Sequence, residues 1–315
     1  MVNLRIVFLG TPDFAVPSLE ALIASRHDVV AVVSQPDRPK GRGQQLQPTP
    51  TKISAAAHGI PVLQPARIRD DAFLQSIRDL RPDLGVVVAF GRILPDALLA
   101  IPRLGMINVH ASILPRYRGA APIQRAVLAG DAETGVSIMR VVTELDAGPV
   151  FSIARAAIPP DATSGDMAGV LASLGAAELG PIVDALGAGQ AGETPQDHAL
   201  ATLAPKIAKD EGVIDWAEPA ARVHDKVRGM QPWPLASTTL NGERLVVRRS
   251  RVTALDAHDM APSAIVRAHG DDLTVACGGG TALQILQIQP EGRRTMSARE
   301  FLAGRGPLEG ARLGT

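Results

Sequence analysis

The sequence predicts an α/β protein, a doubly wound, mainly parallel sheet followed by a small OB-like β-barrel. Three observations carry that expectation. Short apolar runs alternate with helical patterns through about residue 189. A Gly-, Ala-, Gln- and Thr-rich stretch without a period follows, over 187–205. Beyond it, short strand-like runs fall between turn signals such as Asn241-Gly242 and Gly278-Gly279-Gly280.

The elements are read in order. Residues 4–10 are a β-branched and apolar run closed by Gly10, the pattern of a buried strand. A helical pattern follows over 13–22, and 29–33 is a second buried strand. Residues 35–50 are polar and proline-bounded, and are expected to form a loop. Residues 70–80 have helical spacing, and 84–90 and 106–110 read as strands. A helix starts at 122, strands are expected over 136–142 and 150–158, and 164–186 is a long helix with Leu171, Leu174, Leu179, Ile182 and Val183 as its apolar positions. After the stretch at 187–205, one helix (220–228) precedes five strands, at 237–240, 243–252, 263–268, 273–277 and 281–289. The implied organisation is a first domain over 1–189, a linker over 190–206 and a second domain over 207–315.

The 315 residues are enough for two such domains, and with 3% aromatics the core must be built from aliphatic side chains. Charge balances at 32 basic and 32 acidic residues, so any nucleic-acid footprint has to be local. A single cysteine, Cys277, cannot form an internal disulfide, which fits a reducing compartment, and it is expected as a small buried hydrophobe. The chain enters a strand almost at once, and no unbroken apolar run approaches a membrane span. A cytoplasmic location is the expectation.

Two local features carry chemistry. In Ile107-Asn108-Val109-His110, strand alternation puts Asn108 and His110 on one face of an otherwise apolar strand. Reacting sites of open α/β sheets lie outside the carboxyl ends of the strands, and Asp146 follows the next strand, expected at the same edge. An amide, an imidazole and a carboxylate suit acyl transfer to an amine: a donor for the oxyanion, a proton carrier and a group that orients the carrier. A satisfied core histidine beside a turn-forming asparagine fits the same spacing. The chain lacks G-x-G-x-x-G, a G-K-[ST] phosphate loop and paired His or Cys spacing, so neither a nicotinamide nor a metal is expected. The other histidines, His27, His58, His198, His224, His258 and His269, read as surface or helix-end residues.

The second feature is basic. Arg38, Lys40 and Arg42 stand among prolines and glycines, and Arg244, Arg248, Arg249 and Arg251 stand on one strand. Alternation sends Arg244 and Arg248 out by one face and Arg249 and Arg251 by the other. Lys206 and Lys209 extend the same track. Solvated surface and contact with an RNA backbone both fit.

Asn108-Val109-His110-Ala111-Ser112-Ile113-Leu114-Pro115-Arg116-Tyr117-Arg118-Gly119 resembles the signature of the folate-dependent formyltransferases. The resemblance implies a Rossmann-like catalytic domain, Asn108, His110 and Asp146 as the catalytic set, 10-formyltetrahydrofolate as formyl donor and no metal. It also implies folate contacts by Ser112, Ile113, Leu114 and Pro115, and a pterin-lining loop containing Phe90, Gly91, Ile93 and Leu94. Further stretches resemble the branch whose acceptor is the methionine of charged initiator tRNA. These are Phe8-Leu9-Gly10-Thr11-Pro12-Asp13-Phe14-Ala15, Gln35-Pro36-Asp37-Arg38-Pro39-Lys40-Gly41-Arg42-Gly43, Ile214-Asp215-Trp216, Pro232-Trp233-Pro234 and Met296-Ser297-Ala298. That branch implies translation initiation, a tRNA-binding second domain, and tRNA contacts by Arg38, Lys40 and Arg42. From the basic track, Lys206, Lys209, Arg248 and Arg249 are further expected tRNA contacts, and a monomer without membrane partners is expected. Two positions depart from the pattern: Ile113 replaces the commoner Leu, and Pro149 stands where an acid is frequent. A formyltransferase for a small amine, such as a nucleotide sugar or glycinamide ribonucleotide, remains open, as does a non-catalytic RNA-binding protein.

Overall fold

The structure, a computed structural model, describes residues 3–40 and 45–314. Contacts divide the chain into two compact units that are not contiguous in sequence. The first holds 1–122, 133–157 and 168–205, and the second holds 123–132, 158–167 and 206–315.

The first unit is built on seven strands: β1 (Arg5–Gly10), β2 (Asp28–Val33), β3 (Val62–Leu63), β4 (Leu84–Val88), β5 (Met106–His110), β6 (Glu133–Arg140) and β7 (Val150–Ala157). Their spatial order is β3-β2-β1-β4-β5-β6-β7. Pairs from β3 to β5 are parallel, while β6 and β7 are antiparallel. The order reverses between β1 and β4, which is the switch point at which doubly wound sheets bind ligands. Central strands must be apolar on both faces, and β1 and β4 are buried along almost their whole length.

The helices of this unit follow local rules. α1 (Val16–Ile23) opens with a proline in its first turn. α2 (Pro50–Ala57) is capped by Thr49, whose hydroxyl accepts from the Lys52 N–H, and Pro50 stands at its start. α3 (Asp71–Asp79) buries Phe73, Leu74 and Ile77, one narrow stripe. The loop expected over 35–50 is shorter than the sequence suggests. Arg38–Lys40 and Gln45–Gln47 pair as an antiparallel ribbon, and α2 begins at its end. Three-residue strands are too short to show a period, so the sequence gives no signal of them.

α4 (Pro122–Ala129) precedes β6, and α5 (Ser164–Ala188) follows β7. Leu171, Gly175, Leu179, Val183 and Gly187 recur every fourth residue of α5, and Leu171, Leu179 and Val183 are buried. A methyl group on Gly175 would lie 2.6 Å from Val109 Cγ1, so this ridge packs directly on the sheet. By length and composition alone α5 could cross a membrane, although it holds no unbroken apolar run of that length. Asp166, Ser173, Glu178 and Asp184 break its sequence into short apolar runs, and its ridge of Leu171, Leu179 and Val183 packs on the sheet. His27 also departs from the expected surface position. It is buried, its Nδ1 accepts from the Leu4 N–H at 3.2 Å, and its Nε2 lies 2.9 Å from Asp184 on α5.

Residues 190–205, expected as a linker, lie with the first unit. Thr194 exchanges both backbone hydrogen bonds with Val150, and Leu203–Ala204 pairs in parallel with Arg118–Gly119. Bonding through the backbone needs no side-chain periodicity, so composition does not reveal it.

The second unit contains α6 (Ala220–Gly229) and an antiparallel sheet of β8 (Ala236–Leu240), β9 (Glu243–Thr253), β10 (Ile265–His269), β11 (Asp272–Ala276) and β12 (Ala282–Pro290). The order is β8-β9-β12-β11-β10. Asn241 and Gly242 both have positive φ, 51° and 81°, as the tight β8–β9 hairpin requires. Val223 and Val227 of α6 share a core with Trp216, Leu245, Val247, Leu283 and Ile285. Cys277 lies in that core, and burial pushes its thiol up to about 12, so it stays protonated. Ser297 and Glu300 form a capping box on α7 (Ala298–Ala303).

Candidate active site

Because Val109 meets α5, the alternate residues Asn108 and His110 face the opposite side of the sheet. His110 is the last residue of β5 and is 5% exposed. Its Nε2 lies 2.9 Å from the Tyr117 carbonyl oxygen. A carbonyl can only accept, so Nε2 carries the proton and Nδ1 is the free base of the neutral ring. Nδ1 lies 3.6 Å from Asp146 Oδ2, an electrostatic pairing beyond hydrogen-bond length. Among the described residues the half-buried Asn108 amide has no hydrogen-bond partner, which leaves its donor unspent.

Asp146 reaches His110 by a different route from the one the sequence suggests. β6 runs antiparallel to β5, with Ser137 beside His110 and Arg140 beside Ile107. The carboxyl end of β6 therefore lies at the opposite rim, and the loop after it folds back to bring Asp146 to the imidazole. Asp146 itself has φ +48°, and its Oδ2 accepts from the Gly119 N–H at 2.8 Å. Gly119 has φ +128°, and a Cβ there would meet the Ala204 carbonyl oxygen at 2.7 Å, so only glycine fits.

The folate-loop residues divide by burial. Ser112 is fully buried and structural: its hydroxyl donates to the Arg116 carbonyl at 2.6 Å, and its own carbonyl accepts from Ser137 Oγ at 2.7 Å. Leu114 packs with Met139 and Val150, while Ile113 and Pro115 are half-buried. Phe90 and Leu94 belong to the main core, and the Phe90 carbonyl accepts from Gln35 Nε2 at 2.7 Å. Gly91 and Ile93 are exposed, Ile93 at 75%, an unusual position for a large aliphatic side chain. They follow β4, whose Val87 lies beside Asn108.

Three contributors were invisible in the sequence. The Tyr117 backbone carbonyl holds His110 from a residue at φ +62°. Buried Arg118 and Gln196 bond to one another at 2.8 Å, and Gln196 also holds the Asp146 loop. Tyr117 and Arg118 stand in the quoted signature but it gives them no such task, since a carbonyl acts regardless of side chain, and Gln196 stands in the unpatterned stretch.

The expected basic residues are spread over both units. In the first, Arg38 is exposed and donates to Gln35 Oε1 at 2.9 Å. Lys40 ends the same short strand, and Arg42 lies outside the described residues. In the second, Lys206 and Lys209 are exposed. β9 departs from simple alternation, because its pairing with β12 shifts register at Val247/Arg249 and again at Arg249/Ser250. Arg248 and Arg249 therefore line one polar cleft of about 360 Å³, shared with Asp166, His224, Gln287 and Thr295, rather than opposite faces. Hydrogen bonds from Thr163, aided by the Arg249 charge, hold the Asp166 carboxyl below the usual range. Among the described residues no group of His, Cys, Asp and Glu could hold a metal ion.

The formyl transferase family matches residues 4–179, and its C-terminal domain matches 206–306. This chain belongs to the formyl transferase family. It is 48% identical to a methionyl-tRNA formyltransferase of Methylococcus capsulatus, over 99% of this chain and 100% of that one. It is 46% identical to that of Moorella thermoacetica, over 99% of both. Among solved structures, an N-formyltransferase from Helicobacter canadensis in complex with folinic acid and dTDP-3-aminofucose superposes with a TM-score of 0.68 at 15% identity, covering 90% of this chain and 98% of that one. The methionyl-tRNA formyltransferase of Clostridium thermocellum gives 0.54 at 13% identity, covering 79% and 94%. At those identities the structures speak for the fold, a formyltransferase domain followed by an antiparallel β domain.

Proposed function

We infer that this chain transfers the formyl group of 10-formyltetrahydrofolate to the α-amine of methionine on initiator tRNA, for translation initiation. The observation that carries the acceptor is the match to methionyl-tRNA formyltransferases from end to end, the second domain included. The chemistry is supported by the arrangement around His110. An α-amine titrates near pH 8, so at neutral pH a base beside it keeps the attacking form available. The amine nitrogen bonds to the formyl carbon while its proton passes to His110 Nδ1, the free base. The resulting imidazolium has a partner on each side, the Tyr117 carbonyl and the Asp146 carboxylate. Asn108 donates its unspent N–H to the oxygen that becomes negative in the tetrahedral intermediate. The bond from that carbon to N10 of the folate then breaks, and N10 takes the proton from His110.

On this reading Gly91 and Ile93 contact the pterin, with Phe90 and Leu94 shaping the loop from beneath. Ser112, Ile113, Leu114 and Pro115 form the wall on the other side. Residues 1–189 are the catalytic domain, with 190–206 strapped to it, and tRNA is bound by Lys206 at the end of that segment and by Lys209, Arg248 and Arg249 within 207–315. Arg38, Lys40 and Arg42 approach the acceptor end. The protein works as a cytoplasmic monomer without a metal. The test presents charged initiator tRNA, an amino-sugar nucleotide and glycinamide ribonucleotide separately with the same donor. Formylation of the tRNA is expected, and transfer to a small amine alone would overturn the reading.

A further inference from the structure

We propose that Gln196 is a positioning residue for the formyl transfer, setting the carboxylate of Asp146 against His110. The proposal rests on the functional reading above and adds a residue to it. Every polar atom of the Gln196 side chain is engaged. Nε2 donates to the Asp146 carbonyl at 2.8 Å and to the Gly148 carbonyl at 2.7 Å. Oε1 accepts from Arg118 Nη2 at 2.8 Å and from Arg118 Nε at 3.1 Å. An amide has two donor hydrogens and two acceptor lone pairs, and all four are used in a buried site.

The two ends of this crosspiece are the two loops that flank His110. One carries Asp146 at φ +48°, a conformation a non-glycine residue adopts when its surroundings impose it. The other carries Tyr117 at φ +62° and Arg118 next to it. The same strap also holds Tyr117, because Thr202 Oγ accepts from the Tyr117 N–H at 2.9 Å. Both partners of His110 thus stand on left-handed residues tied to residues 196–202. Arg118 reaches outward from the crosspiece to Glu144 at 3.4 Å, closing the Asp146 loop from its other side. Gln196 touches no reacting atom, so its effect on the reaction passes through Asp146.

The test uses two variants, which separate loss of fold from loss of geometry. Gln196→Met keeps the length and removes all four hydrogen bonds. Gln196→Glu keeps the acceptors for Arg118, with a favourable charge, and removes only the donors to the Asp146 loop. Both are assayed for formylation of charged initiator tRNA, with kcat normalised to the folded fraction by circular dichroism. The expected result is a kcat lowered by roughly ten- to a hundredfold in both, with KM for donor and tRNA within about twofold of the parent, as for a misplacement of about 1 Å in a catalytic group. In an Asp146→Asn background the same substitutions should change kcat by less than about threefold, because the group they position is gone. A folded Gln196→Glu with parental kcat would overturn the proposal, as would an undiminished effect in the Asp146→Asn background. If the parent protein itself fails to formylate charged tRNA, the functional reading falls rather than this residue's role.

Discussion

The rim around His110 and the cleft around Arg248 and Arg249 are both polar, and they are built on opposite principles. At the rim the groups around the imidazole are held by fixed neighbours: His110 by the Tyr117 carbonyl with Asp146 facing its other nitrogen, Asp146 by Gly119 and Gln196, Gln196 by Arg118. Two non-glycine residues there are held at positive φ, at an order of 1–3 kcal/mol each. In the cleft, Arg249 projects into solvent and Arg248 is half-buried, on a strand whose register slips beside them. The difference follows from the tasks proposed for them. A proton carrier has to be held within a fraction of an ångström, whereas cations that meet a phosphate backbone act through charge over a Debye length and need no fixed rotamer.

Four measurements would break or sharpen that contrast. The largest effect is expected from His110→Ala, which should lower kcat for formylation of charged tRNA by about 10³-fold while far-ultraviolet circular dichroism stays unchanged. A loss of less than tenfold would mean the imidazole is structural. Asn108→Ala should lower kcat by about 10²-fold, with KM for the folate donor little changed, since its donor is used in the tetrahedral intermediate. A change confined to KM would move Asn108 from catalysis to binding.

The cleft should answer differently. Replacing Arg248 and Arg249 together by Gln should raise KM for tRNA, leave kcat unchanged, and reduce the slope of log affinity against log salt by about two. An unchanged slope would return both arginines to ordinary surface. The smallest effect concerns stability in acid. Hydrogen bonds from Arg125, at 2.6 and 3.0 Å, hold the Glu211 carboxyl below its usual range. A carboxyl lowered on folding contributes stability that is present above its unfolded value and lost as pH falls through the folded one. The melting temperature should therefore decline below about pH 4.5, and Arg125→Gln should flatten that decline.

Much of this was legible along the chain, for identifiable reasons. Buried parallel strands such as β1 and β4 announce themselves as unbroken apolar runs, and α3 shows its stripe of Phe73, Leu74 and Ile77. Asn108 and His110 stood out because polar residues in an apolar strand need a reason to be there. What escaped was whatever depends on chain direction or backbone. The sequence placed Asp146 beside His110, where the structure also has it, but by a wrong route, since nothing local says that β6 runs antiparallel. It divided Arg248 from Arg249 because a bulge leaves no mark in the residue pattern. His27 looked like surface because its partners, the Leu4 N–H and Asp184, lie far from it along the chain.

By itself the sequence determined the layered α/β fold, the β domain that follows it, the face on which Asn108 and His110 sit and the family to which the chain belongs. These follow from periodicity and from contiguous motifs, which are properties of neighbours in sequence. Tertiary structure alone decided which ring nitrogen of His110 is the base, how Asp146 returns to it, and that residues 194–204 brace the site rather than merely connect domains. Each of those depends on hydrogen bonds between segments tens of residues apart, often through main-chain atoms that are the same for every amino acid. No reading of side-chain pattern can place them.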